Sequence, residues 1–309
     1  MNPVDVVWQA QPGKRLVSDK IEVTVLPNRG AKIASLKYLP TGREWLEQPQ
    51  GELAAPPLYG SVFTEADMFG WDEMVPTIIG CTYPDGVHRG VTLPDHGEVW
   101  TLAWSAVGDE DALTCSTMGR VLPYRLTRTM RVEGSRLQLD YELATTGSTP
   151  LWLMWAAHPQ FVIGQLGTRV VLPPDVNRLV DVTPGRRPHG AAWPSSTAES
   201  SLGLPKAVGR KLYLPPEAPI STAALIDGDG CWLQLAWDPT LVPYLGIWLD
   251  NGAYARHPVI ALEPTTGYYD DLAQAVSHRR LHRVRPEQPL KWLLKVTLGQ
   301  GQLPGQLRS

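Results

Sequence analysis

Apolar and polar residues alternate along much of this 309-residue chain, and the alternation limits the fold more than any other feature. In segments 124–133 and 136–143 about every second residue is apolar, and the Gly134-Ser135 pair between them is typical of a tight β-hairpin. The 28 glycines and 29 prolines place turn signals at short intervals. Helical periodicity is nearly absent, with one short helix expected at 269–277. The pattern predicts an all-β protein, a large antiparallel β-sandwich with very little helix.

The chain is predicted to form one domain over residues 1–309. Apolar strands continue on both sides of the stretch 184–205, which is rich in proline, serine, glycine and alanine, and nothing marks a second core. That stretch is expected to be a long surface loop. The tail 299–309 is expected to be flexible, because chain ends without apolar anchors fray.

Charge and cysteine content exclude several classes of function. The net charge is −3 and there is no long basic block, which argues against nucleic acid and against a polybasic membrane patch. No apolar stretch reaches membrane-spanning length, and the first residues do not resemble a signal peptide. The three widely spaced cysteines suit free thiols in a reducing compartment. We therefore expect a cytoplasmic monomer or homodimer that binds neither nucleic acid nor membrane.

Two titratable residues, His158 and Glu263, each end a long apolar run and are each followed directly by a proline. Such runs are typical of strands buried on both faces. Because proline cannot donate to a central ladder, we expect each strand to stop there and to leave a titratable side chain at its end. A histidine and a glutamate that meet in a cleft are suited to acid–base catalysis on a small polar substrate. Burial is expected to raise the pKa of Glu263 and so to strengthen it as a base.

Three further segments, 70–76, 93–100 and 248–252, concentrate polar and aromatic residues. The candidate substrate-binding residues in them are Trp71, Asp72, Glu73, His96 and Trp248. The chain has 12 tryptophans and 10 tyrosines but only 3 phenylalanines, and rings with a polar handle suit a wet binding surface. Structural alternatives stay open, because His96 could belong to a simple turn and the 72–73 pair could be solvated.

Four motifs follow one another in an order that resembles the galactose mutarotase-like (aldose 1-epimerase) family over about residues 20–298. They read LPNRGAKIASLKYLPTGREWL, PDHGEVW, AHPQF and ALEP. The resemblance implies a single large β-sandwich that interconverts the α and β anomers of a sugar without a cofactor. It implies that His158 is the general acid for the ring oxygen and Glu263 the general base for the anomeric hydroxyl. It also implies that His96, Asp72 and Trp248 line the sugar cleft.

The sequence departs from that family in one respect, which concerns the charge of the substrate. The arginines that the family usually carries near the first polar segment and after the His-Gly motif are missing, and Asp72, Glu73 and Glu98 make this side acidic. An acidic rim disfavours a phosphorylated or sulfonated sugar, unless arginines fold back over it. The arginines considered for this are Arg169, Arg178 and Arg186. The sequence therefore predicts a mutarotase that acts on a neutral hexose or a related aldose.

Two alternatives from other classes stay open. The first is a carbohydrate-binding or sensing protein without catalysis on the same fold, because a fold does not determine a function. The second is a glycoside hydrolase or lyase, in which Glu263 would work with Asp72, Glu73 or Asp250 as a second carboxyl group. No cysteine pair has zinc-site spacing and no phosphate-binding or dinucleotide motif is present, so neither a metal nor a cofactor is expected.

Overall fold

Two large antiparallel β-sheets contain most of the strands of the described structure, and the all-β prediction is confirmed. The structure is a computed structural model that describes residues 2–66, 68–183, 185, 187–193 and 204–304. Within these residues the strands are, in chain order, β1 (Val4–Trp8), β2 (Gln11–Val17), β3 (Ile21–Leu26), β4 (Lys32–Tyr38), β5 (Arg43–Glu44), β6 (Trp71–Met74), β7 (Cys81–Thr82), β8 (Thr92–Leu93), β9 (Ser105–Asp109), β10 (Ala112–Met118), β11 (Tyr124–Glu133), β12 (Arg136–Thr145), β13 (Leu151–Trp152), β14 (Ala156–Pro159), β15 (Phe161–Val162), β16 (Thr168–Val171), β17 (Arg178–Asp181), β18 (His189–Ala192), β19 (Gly209–Tyr213), β20 (Thr222–Asp227), β21 (Cys231–Trp237), β22 (Tyr244–Asp250), β23 (Val259–Thr265), β24 (Arg283–Val284) and β25 (Leu290–Gln300).

The larger sheet has 13 strands and carries the candidate site. Its strands lie in the order β1-β2-β3-β4-β6-β14-β23-β22-β19-β17-β18, with β5 beside β4 and β15 beside β23. The second sheet has eight strands in the order β16-β20-β21-β25-β12-β11-β10-β9. Two small sheets, β13-β24 and β7-β8, complete the described topology.

Local sequence signals explain the hairpin and the helix. Strands β11 and β12 pair from Glu133 and Arg136 outward, and Gly134 between them has a φ of 53°, which suits glycine. The hairpin predicted at this point is confirmed. The helix α1 spans Leu272–Ser277, inside the predicted range 269–277, and the side chain of Asp271 caps it by accepting from a backbone N–H.

Alternate residues of the two large sheets face each other and form the core. One continuous hydrophobic cluster contains residues from Leu16 to Leu298. At its centre Tyr141 of the second sheet stacks on Trp292 at 5.0 Å, and Trp155 contacts both rings. Aromatic side chains bury a large area each, so this cluster is a main source of the stability of the sandwich.

Parts of two predicted loop regions have a defined structure. The last strand, β25, extends to Gln300, so the first two residues of the stretch expected to be flexible belong to a sheet. In the stretch 184–205, β18 forms the edge of the larger sheet. Residues 184, 186, 194–203 and 305–309 lie outside the described residues, and the single-domain assignment of 1–309 stays a prediction. No helix among the described residues is long and apolar enough to span a membrane.

The strands that carry His158 and Glu263 do not stop at these residues, so that prediction is wrong. Strand β14 ends one residue after His158, and β23 continues through Pro264 to Thr265. Pro264 keeps its place opposite Leu245 of β22. The backbone N–H of Thr266, two residues further on, donates to Trp155 on the side of β14, so the missing N–H of Pro264 falls on that side, where the ladder is interrupted.

The register of β23 against β14 and β15 places His158 and Glu263 opposite each other within the interruption. Strand β23 pairs with β14 only at Ala156 and Thr265, and pairing resumes where β15 meets β23 at Phe161 and Ile260. Both contacts have the same register, which places residue 158 opposite residue 263 in the interval between them. Residues that lie opposite each other on neighbouring strands point to the same face of a sheet.

Candidate active site

A row of polar side chains crosses the larger sheet on the face that points away from the second sheet. Asp72 of β6 is the register partner of His158 of β14, and Glu263 of β23 is that of Gly246 of β22. With His158 opposite Glu263, the acid–base pair predicted from the sequence lies side by side in the middle of the sheet.

A cavity of about 410 Å³ opens on this face, within the range of about 300–1,000 Å³ that is usual for small-molecule sites. Its polar lining consists of Thr64, Asp95, His96, His158, Lys211, Glu263 and Asp270. Its apolar and aromatic lining consists of Val62, Phe63, Met68, Ile78, Ile79, Trp248 and Tyr254. Tyr254 is 53% exposed, so the cavity reaches the surface at this side chain.

The facing atoms of His158 and Glu263 are buried at the wall of the cavity. Nδ1 of His158 lies 3.3 Å from Oε1 of Glu263, and neither atom has a well-aligned hydrogen bond within the described part of the chain. Nε2 of His158 lies 2.8 Å from the amide nitrogen of Gln160. With that amide donating, Nε2 accepts and the imidazole proton lies on Nδ1, next to Glu263.

The second oxygen of Glu263, Oε2, is bound by Lys211 of β19. The ammonium of Lys211 also lies 3.5 Å from Oδ1 of Asp270, which accepts a 2.6 Å hydrogen bond from the hydroxyl of Tyr213. Glu263 is fully buried in the protein and Lys211 nearly so. One oxygen of Glu263 is therefore held by a cation while the other faces His158.

Buried charges set the proton positions of the pair, and one prediction is corrected here. Burial alone would raise the pKa of Glu263, as the sequence suggested, but the Lys211 ammonium and the contact with His158 outweigh it and lower the pKa to about 2. Burial lowers the pKa of His158, against the opposing effect of Glu263. At neutral pH the resting pair is therefore an ionised carboxylate beside a neutral imidazole.

His96 lies next to His158, and a strained turn holds it there. Its φ is 56°, its backbone N–H donates to Ile78, and its Nδ1 lies 3.0 Å from a carboxylate oxygen of Asp95. Its ring stacks on Phe63 at 4.1 Å and is 5.1 Å from the ring of His158. His96 therefore lies in a turn and also lines the cavity, although the sequence had left these as alternatives.

Trp248 also lines the cavity. It lies on β22, two residues from Gly246 and on the same face, and its ring is 5.7 Å from that of Tyr254. The two rings form an aromatic wall of the cavity.

Three of the predicted substrate-binding residues do not line the cavity. Trp71 and Glu73 point to the opposite face of β6, because successive residues of a strand alternate between faces. Trp71 is fully buried and packs on Phe161, and Glu73 is bound inside the sandwich. Asp72 is on the correct face, but it is fully buried and forms an ion pair with Lys32. A solvated 72–73 pair is likewise excluded.

Sequence reasoning missed Lys211, Asp270 and Phe63. The signal for Lys211 was a lone lysine in the apolar strand segment KLYL, since a charge in a buried strand requires a partner. Asp270 lies between two tyrosines and another aspartate in a loop, and Phe63 lies in an irregular segment, so neither has a pattern from which to infer its position.

The described residues include no group of three or more histidine, cysteine, aspartate or glutamate side chains placed to hold a metal ion. No arginine of the described chain lines the cavity. Of the arginines considered above, Arg169 and Arg178 lie on β16 and β17, and Arg186 lies outside the described residues.

Comparison with known proteins identifies the fold. No family model matches the sequence, and no curated protein is detectably similar to it. Among solved structures, a galactose mutarotase-like protein from Lactobacillus casei ATCC 334 is 18% identical with a TM-score of 0.70, covering 93% of this chain and 100% of that one. A galactose mutarotase-like protein from Clostridium acetobutylicum is 14% identical with a TM-score of 0.72, covering 97% and 98%. The GalM/aldose epimerase homologue from C. elegans is 11% identical with a TM-score of 0.67, covering 97% and 100%. The chain therefore has the galactose mutarotase-like fold, as its motifs suggested.

Proposed function

We propose that this protein is a cofactor-independent mutarotase that interconverts the α and β anomers of a neutral aldose. The observation that carries the proposal is the pair formed by Nδ1 of His158 and Oε1 of Glu263, 3.3 Å apart on the wall of the cavity. Each atom lacks another well-aligned partner, and buried polar atoms without partners in an open site are suited to a ligand.

The chemistry requires one proton to be removed and one to be supplied. Oε1 of Glu263 takes the proton of the anomeric hydroxyl, and the protonated form of His158 gives its Nδ1 proton to the ring oxygen as the bond between that oxygen and C1 breaks, which leaves a neutral imidazole and a protonated carboxyl group. The open aldehyde rotates about the C1–C2 bond and closes on its other face with the roles of the two residues reversed. Both sugar oxygens are bonded to C1, so adjacent groups can reach both. Each role contributes roughly 10²–10⁴-fold to the rate.

The charge of the cavity favours a neutral sugar. Its only lysine or arginine among the described residues is Lys211, which Glu263 and Asp270 already neutralise. Asp95 adds a further carboxylate to the lining. A phosphate or sulfonate group would meet more negative than positive charge here, which opposes binding.

The hydrolase alternative has less support, because its three suggested second carboxylates do not line the cavity. Asp72 and Glu73 are bound elsewhere, as described above. Asp250 is fully buried, and its oxygens accept hydrogen bonds from the backbone N–H groups of Ala253 and Ala255. The non-catalytic sugar-binding alternative shares the cavity and is separated from the proposal only by an activity measurement.

The substitution Glu263→Gln tests the proposal, with anomer exchange followed by NMR or polarimetry on a panel of freshly dissolved aldoses. The wild-type protein is expected to accelerate exchange of at least one neutral sugar, and the variant to be slower by about a hundredfold or more. Glu47→Gln is a matched control. Glu47 is also buried and paired with a histidine, His257, at 2.6 Å, but it lies outside the cavity lining.

Unchanged exchange by the Glu263→Gln protein would refute the catalytic assignment. Sugar binding in calorimetry without any acceleration by the wild-type protein would replace it with the sensing alternative. Release of new reducing ends from oligosaccharides would replace it with the hydrolase.

A further inference from the structure

We propose that Lys211 is a positioning residue of this site, whose ammonium holds Oε2 of Glu263 and so leaves Oε1 to face His158 and the sugar. The inference deepens the proposed function and rests on it for its kinetic part. Lys211 is nearly buried, which is rare for a lysine, and it borders the cavity and binds the carboxylate of Glu263.

The sheet makes room for this contact at Gly246. Gly246 lies on β22, between Glu263 of β23 and Tyr213 of β19 in the register of the sheet. A Cβ atom at this position would lie 3.2 Å from Oε2 of Glu263 and 3.3 Å from Cε of Lys211. These distances are shorter than ordinary van der Waals contact, so any larger residue would press on the ion pair. The missing side chain lets Lys211, two residues before Tyr213, reach across β22.

Asp270 and Tyr213 fix the other side of the lysine. The ammonium lies 3.5 Å from Oδ1 of Asp270, which Tyr213 holds by a hydrogen bond, and 5.4 Å from the centre of the Tyr213 ring. A lysine has three N–H donors on a flexible stem, so partners on two sides restrict where its charge can lie. The cation is therefore kept beside Glu263 instead of turning toward solvent.

The position of Lys211 affects the protons of both members of the pair. The charged and titratable groups that face it are Glu263 on β23, His158 on β14, Asp270 in the loop before α1, and Tyr213 on β19. Burial raises the pKa of Glu263, and the positive charge of Lys211 lowers it. Burial lowers the pKa of His158 most, and His96 and then Lys211 lower it further. Lys211 therefore shifts the pH range in which the pair of His158 and Glu263 holds one proton to lower pH.

The variant Lys211→Met removes the charge and keeps most of the volume of the side chain. Glu263 and Asp270 then lose their shared cation, and protonation of one of them limits the cost to folding. We expect both limits of the pH profile of kcat/KM to move upward. The acidic limit moves up from near the wild-type pKa of Glu263, about 2, to a pH that can be measured. NMR of the histidine ring signals, assigned with His158→Asn, should show His158 titrating at higher pH than in the wild type.

Two further variants separate this role from a structural one. Lys211→Arg keeps the charge and should retain the wild-type titration of His158. Arg210→Met removes the neighbouring cation of the same strand, whose side chain faces the other way and pairs with Asp181 at 2.7 Å, and should also leave the titration unchanged. If Lys211→Met does not fold, Lys211→Gln serves in its place, because its amide can donate to Glu263 without a charge.

An unchanged His158 titration in a folded Lys211→Met or Lys211→Gln protein would overturn the role of Lys211. An upward shift in these variants, absent from Lys211→Arg and Arg210→Met, supports it. The histidine titration needs no substrate. A wild-type protein that fails to accelerate anomer exchange would therefore refute the proposed function, and the titration would still decide the role of Lys211.

Discussion

Two glutamates of the larger sheet, Glu73 and Glu263, are equally buried but have different hydrogen-bond partners. Glu73 faces the second sheet, where its oxygens accept hydrogen bonds from Arg128 at 2.6 Å, Tyr141 at 2.8 Å and Trp155 at 2.6 Å. Glu263 faces the cavity, with one oxygen bound by Lys211 and the other without a hydrogen-bond donor in the described structure. Equal burial therefore does not give the two carboxylates the same surroundings: both oxygens of Glu73 accept hydrogen bonds, whereas Oε1 of Glu263 has no donor among the described residues.

The cationic partners of the two glutamates also differ, in the number of carboxylates that balance their charge. Arg128 is fully buried, and Glu73 is its carboxylate partner within the described structure, along with the carbonyl of Ala31. Lys211 has a second carboxylate, Asp270. Removing the charge of Glu73 leaves a buried cation uncompensated, whereas removing that of Glu263 leaves a balanced lysine–aspartate pair.

The largest expected effect is therefore on stability and belongs to Glu73. We expect Glu73→Gln to lower the free energy of unfolding by about 3–5 kcal/mol, the usual cost of leaving one partner of a buried ion pair behind. Glu263→Gln should cost clearly less, because Asp270 still balances Lys211. Urea titrations of both variants measure the difference. Equal losses of stability would show that the two sites are electrostatically alike and would break the comparison.

The second prediction concerns the pH dependence of kcat/KM, which involves Glu263 and not Glu73. The proposed reaction requires the pair of His158 and Glu263 to hold one proton, which the wild-type pair does between the pKa of Glu263, about 2, and the lowered pKa of His158. Since the pKa of His158 lies below its ordinary 6.5, kcat/KM should fall as pH rises through a value below 6.5, by about tenfold per unit beyond it.

A pH series of anomer exchange, corrected for the uncatalysed reaction in each buffer, measures this limb. The Glu47→Gln protein should give the same profile, because Glu47 lies outside the cavity. A rate that stays constant up to pH 8 would contradict the assignment of His158 as the proton donor.

The sequence predicted the fold and the central pair because both depend on local pattern. Alternation and turn residues define the hairpin of β11 and β12, and two apolar runs that end in His-Pro and Glu-Pro pointed to the pair. The face of each side chain was harder to predict. Trp71 and Glu73 were grouped with Asp72 as one polar segment, although a one-residue step in a strand reverses the face.

The direction of the Glu263 pKa shift could not be predicted from neighbours in sequence. Burial pointed upward, and the opposing cation, Lys211, is 52 residues away along the chain. Only the register of β19, β22 and β23 shows that Gly246 leaves space for the lysine to reach Glu263. Electrostatic effects of this kind depend on the tertiary structure and not on local pattern.

The smallest expected effect belongs to a tryptophan of the cavity, Trp248, and is compared with that of a core tryptophan, Trp71, on the opposite face of the larger sheet. Trp248 borders the cavity and Trp71 packs in the core. We expect Trp248→Ala to raise KM for the sugar about fivefold with little change in kcat, because a stacking contact of about 1 kcal/mol is lost equally from the bound sugar and the transition state. The unfolding free energy of the Trp248→Ala protein should change little, whereas Trp71→Ala should cost about 3–5 kcal/mol of stability.

Initial-rate kinetics over a range of sugar concentration test the expected rise in KM of the Trp248→Ala protein. A drop in kcat without a rise in KM would mean that Trp248 positions the acid–base pair, and the division between a binding wall and a reacting centre would then be wrong.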